Sequence, residues 1–168
     1  MKRKKTVTLC MSRCGNTVVI ADFRSGFQIH LKRLGDLVLI LLKQMKLKRT
    51  VLSLVFISDS AIRHLNQRYL DHPWPTDVLA FPFSHSVGGE LALQNRSFLG
   101  EVIVSPKRAE VYSKRLNVSF EEEFIRYICH GILHLQGYTD KSYSGKTKMR
   151  RAEDRLLKII KRKMNGII

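Results

Sequence analysis

The sequence predicts an α+β fold, a small mixed β-sheet packed with helices, in one domain covering residues 1–168. Three observations predict it. The chain has 168 residues, 44% apolar and 26% charged, which is the size and composition of one domain able to bury a core rather than a disordered or fibrous chain. Short β-branched runs and stretches of helical periodicity follow one another in irregular order. No internal repeat, low-complexity tract or Pro/Gly-rich linker divides the chain.

Thr17–Ala21 is rich in β-branched residues and reads as the first strand. Residues 29–47 follow with Leu31, Leu34, Val38, Leu41, Leu42 and Met45 at helical spacing and lysines and arginines opposite. Val51–Ile57 is an apolar run of strand length, and Ser58-Asp59-Ser60 supplies N-cap chemistry for a helix through Tyr69, broken by Pro73 and Pro75. Asp77–Phe83 and Phe98–Ser105 read as two further strands separated by a polar loop around Ser84–Arg96. Ser105-Pro106 opens a helix with proline at a tolerated first-turn position. Ser119-Phe120-Glu121-Glu122 is a capping box for a helix through Phe124, Ile125, Ile128, Ile132 and Leu135, stopped at Gly137. A last helix, Thr147–Met164, places Met149, Ala152, Leu156, Ile159 and Ile160 on one face.

Charge narrows the function classes. Thirty Lys and Arg against 14 Asp and Glu give a formal net charge of +16, a positive field whose usual partner is nucleic acid, with an anionic membrane surface as the other candidate. The longest run of large aliphatics, Leu37–Leu42, is too short to span a bilayer, so no membrane partner is expected. The basic start resembles a leader, but Thr6–Met11 is a poor apolar segment and Arg13 ends it, so export is not expected. Three cysteines form no disulfide framework, and the lone pair Cys10 and Cys14 reads as two partly buried thiols near a strand. The expected compartment is reducing cytoplasm. Basic residues cluster at Lys2–Lys5, at Lys43, Lys46, Lys48 and Arg49, and in Lys141–Lys163, without balancing acid. RNA backbone binding is the natural reading, through Lys141, Lys146, Lys148, Arg150 and Arg151, with Tyr138 or Tyr143 available to stack on an unpaired base.

The sharpest chemistry lies in His130-Gly131-Ile132-Leu133-His134-Leu135-Gln136-Gly137-Tyr138-Thr139-Asp140. Histidines four apart on a helix leave the same face one turn apart, close enough to share a metal ion. Gly137 can end the helix and turn the chain back, bringing the Asp140 carboxylate to the same ion. Two imidazoles and a carboxylate leave a fourth position open, as in a catalytic zinc site; the competing reading is a polar patch or a hydrogen-bonded histidine pair. The spacing is also that of metzincin proteases, which need Glu directly after the first histidine. Gly131 stands there, so the proteolytic base is missing.

The segment His-Gly-x-Leu-His-Leu-x-Gly-Tyr at His130–Tyr138 resembles the signature of the YbeY family of bacterial metallo-endoribonucleases. Leu65-Asn66, then Pro75–Pro82, Leu99–Ile103, and Met149 with Glu153 are similar to further blocks of that family, in the same order. The resemblance implies one zinc ion per chain on His130, His134 and Asp140. It also implies endonucleolytic cleavage of single-stranded RNA, and roles in 16S rRNA 3′-end maturation and ribosome quality control with ribosomal RNA and subunits as partners. Two positions depart from the pattern. Asp140 stands where the family usually has a third histidine, and Leu70 follows Tyr69 where it tends to have arginine. A non-catalytic ribosome-assembly factor with a structural metal is the alternative, and a zinc peptidase a weaker one. Asp77 is read mainly as part of a turn into its strand, and Glu101 is given no catalytic role.

Overall fold

A computed structural model of the chain describes residues 7–23, 26–71, 76–83 and 97–163, the side chains of Val7, Leu70 and Arg162 excepted. Lys2–Lys5, Pro73, Pro75, the Ser84–Arg96 loop and Met164 fall outside the described residues.

The described residues open with a hairpin whose first strand the sequence pattern does not announce. Strand β1 (Val7–Arg13) pairs antiparallel with β2 (Asn16–Phe23) through a two-residue turn, Cys14-Gly15, both at positive φ as that turn requires. Cys10 and Cys14 are therefore exposed, on an edge strand and in its turn, and not partly buried as expected. Helix α1 (Leu31–Gln44) carries the chain to β3 (Thr50–Ile57), which lies parallel to β2. Its Leu34, Val38, Leu41 and Leu42 are buried as the spacing predicts, with Lys32, Arg33 and Lys43 exposed.

Helix α2 (Asp59–Leu70) starts on Ser58, whose Oγ accepts from the Ala61 amide at 3.3 Å. Strands β4 (Val78–Pro82) and β5 (Ser97–Val104) pair antiparallel, and β5 also runs parallel to β3. The mixed sheet has the order β1-β2-β3-β5-β4. Glu101, on β5, accepts a hydrogen bond from Ser53 Oγ on β3 at 2.8 Å. Asp77 Oδ1 accepts from the Val78 amide at 3.0 Å and from Thr76 Oγ1 at 3.1 Å, fixing the turn into β4.

Helix α3 (Pro106–Leu116) has its proline in the first turn, and α4 (Phe120–Leu135) is capped by Ser119 Oγ, which accepts from the Glu122 amide at 3.1 Å. Helix α5 is Tyr143–Ile160, starting one turn before the expected Thr147 because Ser142 is the N-cap and accepts from the Gly145 amide at 3.0 Å. The main core joins α1, α4 and α5 to one sheet face, where Val18, Ile20, Leu52, Leu54, Phe56, Val102 and Val104 point. A smaller cluster, Ile57, Ile62, Leu79 and Ile103, seats α2 on the opposite face. Among the α5 residues expected on the core face, Ile159 is the exception: it is 44% exposed. No described helix is long and apolar enough to cross a membrane.

Candidate metal centre

Helix α4 is apolar on nearly every side because it lies between the sheet and α5, with Phe124, Ile125, Ile128 and Ile132 fully buried. It packs tightly on the sheet at Gly131, where a Cβ would strike Val102 Cγ1 and stand 3.0 Å from Val78 Cγ2. The residue after the first histidine thus has no room for a side chain, so neither a glutamate nor its base chemistry fits there. This contact fixes how far His130 stands from β4.

His130 and His134 leave α4 on one face, with ring centroids 4.4 Å apart and planes at 86°. Gly137, at φ 88°, closes the helix: its amide donates to the His134 carbonyl at 2.9 Å and the Tyr138 amide to the Leu133 carbonyl at 3.0 Å. That closing turn aims the Tyr138 carbonyl at His134, whose Nδ1–H donates to it at 3.0 Å. The chain then returns Asp140, with Oδ2 3.9 Å from His130 Nε2. One ligand atom from each of His130, His134 and Asp140 lies within 4.8 Å of the others.

The hydrogen-bond partners assign the tautomers. A carbonyl only accepts, so His134 carries its proton on Nδ1. His130 Nδ1–H likewise donates to the Glu153 carboxylate at 2.7 Å. Both Nε2 atoms are then lone-pair bearers, and they face each other at 2.8 Å. Two lone pairs at that distance repel unless a proton or a cation lies between them. Two imidazole nitrogens and one carboxylate oxygen suit a transition metal such as zinc, so the donor set fits such an ion.

Glu153 is the part of the centre that sequence reading left without a role. It is buried on α5 and also receives Arg126 Nη1 at 3.3 Å, while Arg126 Nη1 reaches Asp154 at 2.7 Å. Burial disfavours charge on His130, but Glu153, through its hydrogen bond and its charge, and then Asp77 and Asp140 outweigh it and raise its proton affinity. The same negative potential attracts a metal cation. Burial also opposes the charge on Arg126, and its bonds to Asp154 and Glu153 overcome that. The available signal was a carboxylate on the apolar stripe of α5, four residues after Met149, and an arginine inside the apolar run of α4.

A cleft of about 1230 Å³ opens over these groups, walled by Asn66 of α2, residues 76–80 leading into β4, Tyr112 of α3, and α4 and α5. Lys141, Lys146 and Arg150 line it, whereas Lys148 and Arg151 stand exposed on α5 outside its lining. Arg68, two residues before Leu70, sits over the Tyr69 ring at 6.0 Å and does not line the cleft.

Comparison with known proteins identifies the family. A family model described as endoribonuclease YbeY matches residues 21–161. The endoribonuclease YbeY of Salinibacter ruber is 40% identical over 111 residues, 66% of this chain and 71% of that protein. That of Chlamydia pneumoniae is 33% identical over 147 residues, 86% and 90% of the two chains. The solution structure of TM1509 from Thermotoga maritima superposes with a TM-score of 0.52 at 26% identity, covering 80% of this chain and 88% of that one. With the matched span running from β2 through α5 and taking in the histidine pair and Glu153, the chain belongs to the endoribonuclease YbeY family.

Proposed function

We propose that this chain is a zinc-dependent endoribonuclease that cuts single-stranded RNA, acting as one domain in the cytoplasm. Its substrate on this reading is ribosomal RNA within ribosomal subunits, in 16S rRNA 3′-end maturation and ribosome quality control. The observation that carries the proposal is the pair of facing Nε2 atoms, with Asp140 beside them, at the floor of a cleft rimmed by Lys141, Lys146 and Arg150.

His130, His134 and Asp140 would hold one zinc ion, which supplies a Lewis acid able to polarise a phosphoryl oxygen or activate water. Glu153 keeps the His130 proton on Nδ1, and the Tyr138 carbonyl does the same for His134, so both Nε2 lone pairs stay turned to the cleft. Arg126 holds Glu153 in place from behind. Lys141 and Lys146 lie where backbone phosphates would run and lower their charge; Arg150 adds to this, although it also lies 3.7 Å from Glu153.

The test is cleavage of a single-stranded ribosomal RNA fragment and of its duplex by the purified chain, after chelation and again after zinc is restored. The single strand alone should be cleaved, with activity lost on chelation and recovered with zinc. Tight RNA binding with no cleavage under any of these conditions would favour the non-catalytic assembly factor.

A further inference from the structure

A second concavity, of about 530 Å³, lies on the other side of α4 from the cleft, between the C-terminal end of α1 and the last turns of α5. Its size falls within the range of ~300–1,000 Å³ typical of small-molecule sites. Leu133, Met45, Leu156 and Ile159 give it an apolar floor, and Tyr138 adds an aromatic wall. Ile159 is the residue that helical spacing assigned to the core and that stands 44% exposed instead. Gln44 and Gln136 bring two primary amides whose side chains have no hydrogen-bond partner among the described residues. Lys46 and Arg155 bring two cations without an ion pair among the described residues, and no carboxylate lines the groove.

We propose that this groove seats one unpaired nucleotide of the RNA strand, its base against Tyr138 and its phosphates at Lys46 and Arg155; this rests on the RNA-cleaving function proposed above. An aromatic wall beside an apolar floor takes a base face of any sequence, and stacking of this kind dominates single-strand binding. The free amides of Gln44 and Gln136 can pair with base edges, which a purely apolar protein contact would leave unsatisfied. The two cations match a phosphate on each side of the base. Position supports the same occupant. The C-terminal part of α4 is shared by the cleft and the groove, His130 and His134 lining the cleft and Leu133, with the capping Gln136, lining the groove. Tyr138 joins the two directly: its carbonyl orients His134, and the same residue, partly buried against the core, lines the groove. A base held there is fixed relative to the cleaving centre by about one helix diameter, ~10 Å. The groove would thus select a strand that can unstack one base near the cleavage point.

Fluorescence anisotropy of the chain, held metal-free by a chelator so that the strand is bound but not cut, tests this with a labelled single-stranded oligoribonucleotide in which one nucleotide at a time is made abasic. The parent should lose about tenfold in affinity when the seated base is removed, and much less at the other positions. In the double variant Lys46→Asn/Arg155→Gln the intact strand should bind more weakly, with a salt slope lower by about 1.4 for two lost phosphate contacts. Asn suits position 46 because Lys46 is at φ 59°, and both side chains are exposed, so folding and zinc content should be retained. Tyr138→Leu should erase the abasic penalty, while Tyr138→Phe keeps it. A flat abasic scan in the parent, or a double variant with parental affinity and salt slope, would overturn the groove assignment and leave RNA cleavage standing. No RNA binding by the parent at all would defeat both.

Discussion

Replacing Glu153 separates its two duties, because its carboxylate serves both His130 and Arg126. In Glu153→Ala the buried guanidinium loses one partner, and removing one member of a buried pair costs ~3–5 kcal/mol when nothing replaces it. Arg126 keeps Asp154 at 2.7 Å, so a loss of about 2–3 kcal/mol is expected. For a chain of this size that lowers Tm by about 5–10 °C. Glu153→Gln keeps the shape but offers one acceptor where two donors, His130 Nδ1–H and Arg126 Nη1, converge. If the amide oxygen turns to Arg126, its NH2 faces His130 Nδ1 and moves the ring proton to Nε2, blocking the metal-facing lone pair. Stability should then fall by only about 1–2 kcal/mol. Zinc affinity, measured by competition with a chromogenic chelator, should drop about 10–100-fold in both variants. Parental zinc affinity in Glu153→Gln would refute the idea that this carboxylate sets the His130 tautomer.

Asp140→Ala should weaken zinc binding by more than the ~10–100-fold expected for a group that only orients a ligand, and Asp140→His should restore it, with helix content by circular dichroism unchanged in both; equal zinc affinity in parent and Asp140→Ala would make the carboxylate a bystander. In the metal-free protein the raised proton affinity of His130 contributes stability that is fully present below about pH 6.5, the unfolded value, and is lost as pH rises through the higher folded value. The Tm gap between chelated parent and Glu153→Gln should therefore narrow with rising pH in calorimetry, and a widening gap would reverse the sign of the argument. Burial pushes the Cys129 thiol up to about 12, leaving about one thiolate in 10,000 at pH 8, so native alkylation should label Cys10 and Cys14 but not Cys129, as read by peptide mass.

The parts of the fold legible in the sequence were those where one strong local signal matched the tertiary outcome. The Ser119 cap with its acidic first turn fixed the start of α4, and the spacing of Leu34, Val38 and Leu41 marked the buried face of α1. The histidine pair with Gly137 and Asp140 placed the candidate ligands because helix geometry and a helix-ending glycine are local constraints. Strand β1 was hidden because its alternation, Leu9 and Met11 inward against exposed Thr8, Cys10 and Ser12, follows a basic segment and reads as a failed leader. Strand pairing and the cover that α2 gives one face of the sheet depend on contacts distant in sequence. Glu153 and Arg126 were missed as a unit for the same reason: each is a charge set among the apolar positions of its own helix, and only the packing of α4 on α5 joins them across 27 positions.

A zinc titration of the chelated enzyme under single-turnover conditions, with a single-stranded RNA substrate, tests the metal centre and its chemistry together. Cleavage should rise linearly with added zinc and level off at about one ion per chain, as one three-ligand site requires, and His130→Ala/His134→Ala should stay inactive across the range. Undiminished cleavage before any zinc is added, or full cleavage by the double variant, would contradict a metal centre built on His130, His134 and Asp140.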